Sequence, residues 1–412
     1  MRDFGAELTR WMDERDTGVR ELARAVPCAP AHISNLKNGK ARPSSELAAL
    51  LDSLLAAGGA LIAAAATTGR AVRDGDVGLM ELARRAEMTD VGSGTLELLA
   101  SSTDRLCREY PTVDPRVLSG EARSSLRFVT DLLGKRVTLR QHRELVVIAG
   151  WLSALLACTA YDAGDRLTAE TARIMTRQFG EHADHSELVA WSFEIAAWYA
   201  LVEGRFADCA ALCEAGLAHT KMSNAAVQIT LQASRAYARL GDDQAAQMLK
   251  AGQKILARLP VPAHPEHHFV FDRDKYEFYT ATIYTWLGTD DKAAEENAHE
   301  VVSRCIGHNG VVRWPTRLST TLVNLGQIAG RRGDLDEAVG LGEESLRCGR
   351  RSAELLPRAT ELERRLAARY GAERLVVEYG DVLREEFRVL PPSNALQIDE
   401  AVGRRMDGPK AL

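Results

Sequence analysis

Apolar residues recur along the chain at intervals of three and four, and this spacing predicts one helix after another. Four or five short helices are expected in the first 66 residues or so. Phe4, Leu8, Trp11 and Met12 share one face of a helix that ends near Arg15, where Thr17 and Gly18 break the pattern. Thr17 is the expected cap of a second helix, with Glu21 in its first turn and Leu22, Ala23 and Val26 turned inward. Pro27 stops it. Pro30 fits the first turn of a third helix running to about Asn38, with Ile33 and Leu36 inward, and Gly39 is placed to end it. Pro43 and Ser44 open a fourth, whose apolar stripe is Leu47, Leu50, Leu51 and Leu54.

Two breaks follow: a polar, Gly-punctuated stretch from Thr67 to Val77, and TDVGSGT at Thr89–Thr95. A helix from Leu96 to Tyr110 precedes Pro111, and from about Asp114 the helical pattern is continuous. Five similar stretches then appear: AYDAGDRLTAETA, ALVEGRFADCAAL, ARLGDDQAAQML, TWLGTDDKAAEEN and GRRGDLDEAVGL. Each ends a helix at a glycine (Gly164, Gly204, Gly241, Gly288, Gly333), at separations near forty residues. Seven positions before each glycine stands a small residue: Ala157, Ala197, Ser234, Ala281 and Gly326. Five positions after stands another: Ala169, Cys209, Ala246, Ala293 and Ala338. Small side chains at these two positions let paired helices approach closely.

Composition narrows the class. A chain of 412 residues suggests two or three domains, and 46% hydrophobic with 26% charged residues is a soluble globular profile. Aromatic and β-branched residues are too few for a sheet-rich protein, so the fold class is all-α. The longest apolar run is read as Leu54–Ala66, which is too short to span a bilayer and contains Gly58–Gly59. The opening MRDFGAELTRW reads as an amphipathic helix rather than a secretory signal, and no membrane association is expected. Seven scattered cysteines without a C-x-x-C pair fit reduced thiols in a cytoplasm, and Cys209 and Cys213 read as small core residues.

The net charge of −5 argues against a protein that coats nucleic acid by charge alone, yet the charge is locally segregated. No acidic residue lies between Glu21 and Glu46, while Arg24, Lys37, Lys40 and Arg42 all do. In this segment the run Leu22-Ala23-x(9)-Ile33-Ser34-x(4)-Gly39-x(3)-Pro43 resembles the lambda-repressor-like (XRE-type) helix-turn-helix domain over the first 65 residues or so. The chain departs from that family in having Pro27 in the turn, where glycine is frequent, and Lys37 near the end of the third helix, where glutamate is frequent. The resemblance implies that the third helix enters the major groove of double-stranded DNA. Pro30, Ala31, His32 and Asn35 would then face base edges, with Asn35 able to pair with adenine. Arg10, Lys37, Asn38, Lys40 and Arg42 would face phosphates. The repeated ELAR at Glu81–Arg84 has no residue corresponding to Ile33 and reads as an ordinary helix start.

The glycine-centred stretches resemble divergent tetratricopeptide repeats, with a HEAT-like α-solenoid as the alternative; Tyr237, Tyr284 and Leu325–Gly326 fall at matching positions of the repeat. The resemblance implies a TPR-like helical-repeat domain over 114–390, after a helix-turn-helix domain over 1–66 and a helical linker over 67–113, with a C-terminal tail over 391–412. On a concave face built from the first helix of each pair, the glycine phase places Trp151, Tyr161, Trp191, Glu194, Trp198, Gln228, Arg235, Lys275, Phe278 and Gln327. Such a mixture suits a peptide or small amphipathic effector. The insertion LPVPAHPEHHFVFDRDKYEFY, residues 259–279, brings His264, His267, His268 and Asp272 close in sequence, but at no metal-binding spacing. It reads as a structural loop, with a lid or dimer contact as lesser readings.

There is no phosphate-binding loop and no G-x-S-x-G elbow, and neither enzyme activity, cofactor nor metal is expected. The fusion resembles bacterial cytoplasmic, nucleoid-associated transcription regulators of the XRE family. It implies a homodimer on a dyad operator, with an effector bound by the repeats. The competing expectation is an interaction scaffold whose repeats grip a partner protein and whose DNA-binding domain is weak.

Overall fold

A computed structural model describes residues 3–26, 28–66, 84–85, 87–307, 310–350 and 352–388. Pro27, the whole Thr67–Val77 break, the start of the second ELAR and the C-terminal tail lie outside the described residues. The chain is all-α, and among the described residues there is no strand beyond an isolated bridge between Ile306 and Val312. It divides into two compact units at Met88/Thr89.

The first unit contains α1 (Phe4–Glu14), α2 (Val19–Ala25), α3 (Pro30–Lys37) and α4 (Ser45–Leu54), then helix over 60–66. Phe4, Leu8, Met12, Leu22, Val26, Ile33, Leu36, Leu51, Leu55 and Leu61 form one small core. Capping residues fix the starts: the Asp3 carboxylate accepts the Gly5 N–H, and the Ser44 hydroxyl accepts that of Leu47 at 3.1 Å. Gly39, at φ +68°, ends α3 as expected. Two expectations need correcting. The N-cap of α2 is Gly18, not Thr17, whose hydroxyl donates to the Arg15 carbonyl instead. The buried stripe of α4 is Ala48, Leu51 and Asp52, leaving Leu50 and Leu54 nearly half exposed. The register is turned because Asp52 is needed inside: its two carboxylate oxygens accept the N–H groups of Gly59 (2.8 Å) and Leu61 (2.9 Å), starting the next helix.

The second unit runs through α5 (Ser93–Glu109), α6 (Pro115–Leu133), α7 (Leu139–Asp162), α8 (Arg166–His182), α9 (Ser186–Val202), α10 (Phe206–Leu217), α11 (Asn224–Leu240), α12 (Gln244–Leu256), α13 (Arg273–Leu287), α14 (Asp291–Cys305), α15 (Pro315–Arg332), α16 (Leu335–Arg347), α17 (Leu355–Tyr370) and α18 (Arg374–Arg388). From α7 onward the helices are paired, and the first helices of successive pairs neighbour one another in one layer. All five turn glycines are left-handed, from +63° at Gly288 to +104° at Gly333. A sixth pair, α17 and α18, turns at Gly371 (φ +66°); Arg364 stands where the other pairs have a small residue, so the sequence pattern hid it. The five small residues before the glycines are buried. Of those after, Ala169, Cys209 and Ala338 are buried, but Ala246 is exposed and Ala293 half-buried; Ala245 and Ala294 take the contact instead. The turns differ in length: the helix cap follows Gly164, Gly204 and Gly333 directly but lies two residues after Gly241 and Gly288.

Helix α5, expected in a linker, belongs to the second unit: Leu96, Leu99, Leu106 and Cys107 enter its core. Helix α7 is long and apolar enough to cross a membrane by length and composition, with 83% of its most apolar window buried. It is the central core helix of this unit, and its apolar stretch, interrupted by Ser153 and Thr159, exceeds the Leu54–Ala66 run.

Candidate nucleic-acid interface and effector cleft

In the first unit, α3 is held from two sides. Ile33 and Leu36 are fully buried, while Pro30, Ala31 and Asn35 are exposed and His32 is half-buried. The four residues expected to face base edges therefore share the outer surface of one helix. The N-cap, Ala29, makes no side-chain cap hydrogen bond, so no side chain of its own covers the start of the helix. At the other end, the N–H groups of Lys40 (2.8 Å) and Ala41 (3.1 Å) both donate to the Asn35 carbonyl, folding the Gly39–Arg42 exit back on the helix. Lys40 and Arg42 are exposed and Lys37 half-buried. Among the described residues of this unit none of the three is ion-paired. Asn38 is exposed, its amide donating to Ser34 Oγ at 3.4 Å. Arg10 is placed differently from the rest: its guanidinium is bonded to Glu7, lies 3.4 Å from Glu14 and sits 4.7 Å over the Trp11 ring.

Sequence reasoning missed Gly5. A Cβ there would lie 2.8 Å from the Lys37 carbonyl oxygen and 2.9 Å from that of Leu36. The start of α1 is thus seated against the C-terminal carbonyls of α3. Helical glycine carries no signal of this kind, since the partner lies thirty residues away.

In the second unit, the layer of first helices does not present an open groove. The 259–272 insertion crosses it. Phe269 is buried between Trp151 (ring centroids 5.3 Å) and Trp191 (5.0 Å). The His268 ring lies 3.8 Å from that of Tyr110, and the His268 backbone N–H donates to the Cys107 carbonyl on α5 at 3.0 Å. Burial, with the Lys275 charge second, holds His268 well below the ordinary imidazole pKa. A second crossing comes from the segment after α16. Arg350 donates to Asp162 at 2.8 Å and to the Val113 carbonyl, and the Ala353 N–H donates to the other Asp162 oxygen. Tyr110 Oη also donates to Asp162, at 2.7 Å.

Between these crossings lies a cleft of about 890 Å³, part of it open to solvent. Six of the expected groove residues line it: Glu194, Trp198, Gln228, Arg235, Lys275 and Phe278. The other four do not. Trp151 and Trp191 clasp Phe269, Tyr161 stacks on Tyr199 at 3.9 Å, and Gln327 is buried in α15. Cys158, Trp314, Arg317 and Glu354 complete much of the wall and were not read from sequence, because three of them follow irregular segments or lie outside the repeat phase. Arg235 donates to Glu354 at 2.6 Å and to Gln232 at 3.0 Å. Burial pushes the Glu354 carboxyl up, but Arg235 and Arg358 outweigh it and leave it below the usual range. Burial raises Glu194, which accepts from Gln228 Nε2 at 2.8 Å. The insertion's histidines do not converge: among the described residues no three metal-ligating side chains come together. Asp272 instead caps α13.

No family model matches the sequence, and a search of curated proteins returns no match to it.

Proposed function

We propose that this chain is a sequence-specific DNA-binding transcription regulator. Its first unit is a lambda-repressor-like helix-turn-helix domain, and its second a TPR-like repeat domain that dimerises and binds a small effector. The observation that carries the reading is the outer surface of α3: Asn35 stands exposed beside an exit bearing exposed Lys40 and Arg42, with no carboxylate paired to them among the described residues of the unit. That arrangement offers an amide for a base edge and cations for phosphates on one face. Net acidity is no obstacle, because the positive charge is gathered here.

The effector is read as small. Two crossings close the concave layer, which weighs against an extended peptide and equally against a scaffold that grips a partner segment there. Arg10 contributes less to the DNA surface than the sequence suggested, since Glu7 and Glu14 already compensate it. The deciding experiment is genome-wide mapping of bound DNA followed by a search for a dyad motif, with binding to the recovered site measured at several salt concentrations. Sequence-blind binding with no salt dependence would sink the proposal.

A further inference from the structure

The cations that line the cleft can be followed partner by partner. Arg235 is compensated by Glu354 and Arg350 by Asp162. Arg317 is not compensated in the same way. Its closest carboxylate, Asp272, lies 3.9 Å away, and the oxygen concerned already accepts the Lys275 backbone N–H at 3.0 Å. The Arg317 side chain is only 12% exposed, and its Nη1 has no hydrogen-bond partner. Lys275 Nζ donates to the carbonyls of His268 (3.0 Å) and Val270 (3.4 Å), which are neutral acceptors. In the same cleft Gln228 Oε1, also buried, accepts from nothing.

Buried charge without a counter-ion is costly, and a ligand that supplies the counter-ion recovers that cost. The apolar part of the wall is aromatic: Trp198, Phe278 and Trp314. From this geometry we propose that the cleft binds a small organic acid, its carboxylate held by Arg317 and Lys275 and its apolar body lying against Trp198, Phe278 and Trp314. The ring-rich wall favours a carboxylate on an apolar body over a fully polar phosphate. The inference rests on the cleft being the effector site. The electrostatics agree with it. Burial lowers both cations, Lys275 to about 8, and Arg317 is itself a cause of the Lys275 shift. An anion beside them opposes both the burial and the Arg317 charge that depress Lys275.

The test uses the full chain and three acids, benzoate, phenylacetate and hexanoate, each beside its primary amide, with inorganic phosphate as a further arm. Thermal unfolding and titration calorimetry are the readouts. At least one acid raises the unfolding midpoint and binds at least about tenfold tighter than its amide. Arg317→Gln removes at least about tenfold of that affinity, while Arg317→Lys retains part of it. Should Arg317→Gln fail to fold, Lys275→Met, which frees two backbone carbonyls and takes a compensating charge from Glu194, carries the same expectation. The proposal is overturned if no acid shifts the midpoint, if amides do so equally, if only phosphate does, or if the response persists in the charge-removed variant. Because no DNA enters this assay, acid binding by a chain that ignores DNA would fail the regulator reading alone. DNA binding without acid binding would fail this inference alone.

Discussion

Gly5→Ala tests whether the seating of α3 follows from contact with α1. In open space, alanine is the better helix former, by up to about 1 kcal/mol. Here its Cβ would meet two backbone oxygens at 2.8 and 2.9 Å and the Gly39 nitrogen at 3.2 Å. Backbone cannot rotate away as a side-chain tip can, so α1 must lift from the end of α3. Such overpacking costs about 1–3 kcal/mol. Gly5 is the second residue of α1, where propensity counts for less than in a helix interior, so the steric cost dominates and the net expectation is a loss of about 1–2 kcal/mol. Gly120 is the internal control: it is exposed within α6, with nothing within 4 Å of an added Cβ. Gly120→Ala should therefore stabilise its helix by up to about 1 kcal/mol. Because the two units need not unfold together, the assay is hydrogen exchange read by peptide mass spectrometry on the full chain. Gly5→Ala should speed exchange in α1 and α3 by about 5- to 30-fold, and Gly120→Ala should slow it in α6. Unchanged or increased protection of α3 in Gly5→Ala would refute the steric argument, because the propensity term would then stand alone.

Three further expectations concern charge. Lys40→Ala with Arg42→Ala should weaken binding to all DNA sequences alike and flatten the salt slope by about 2, whereas Asn35→Ala should cost about 1–3 kcal/mol at one base position; binding titrations against salt and against point-changed sites separate them. Asp162→Asn leaves the buried Arg350 guanidinium without its carboxylate and should lower stability by about 3–5 kcal/mol in denaturant titration. Lys275 has a folded-state pKa of about 8 against an ordinary 10.5, so between these values the unfolded chain binds more protons. The contribution of this residue to stability therefore rises as pH climbs from about 8 to 10.5, and the difference in unfolding free energy between wild type and Lys275→Met should change over that window and be flat below it.

Local rules served well where the chain makes its own decisions. Pro30 at a helix start, Ser44 as a cap and left-handed glycines at Gly39, Gly164, Gly204, Gly241, Gly288 and Gly333 are set by residues within one turn of each other. The errors arose where a distant partner overrides the local signal. Leu50 and Leu54 looked inward by periodicity, but Asp52 must turn in to hold the Gly59 and Leu61 N–H groups. Ala293 missed by one residue because the cap after Gly288 lies one residue later than those after Gly164, Gly204 and Gly333; Ala246 missed in the opposite direction, and the cap offset does not explain it. Helix α5 read as linker because its partner on the core, α7, comes only after an intervening helix.

The cleft shows the same division at larger scale. Phase counting from the glycines put Glu194, Trp198, Gln228, Arg235, Lys275 and Phe278 on one wall, since all lie on first helices of their pairs. It could not foresee what would be laid over that face, because Phe269 and Arg350 come from irregular segments and reach back to helices far earlier in the chain. Their arrival changes the chemistry as well as the shape. Trp151 and Trp191, which sequence offered as a ligand surface, are spent on Phe269, and Arg235, offered as a ligand contact, is locked to Glu354. Arg235→Ala would leave the buried Glu354 carboxylate with only the longer 3.6 Å pair to Arg358 and damage the fold, so it cannot report on an effector. Arg317, which no repeat pattern singles out, is the residue whose charge is left for a ligand to answer.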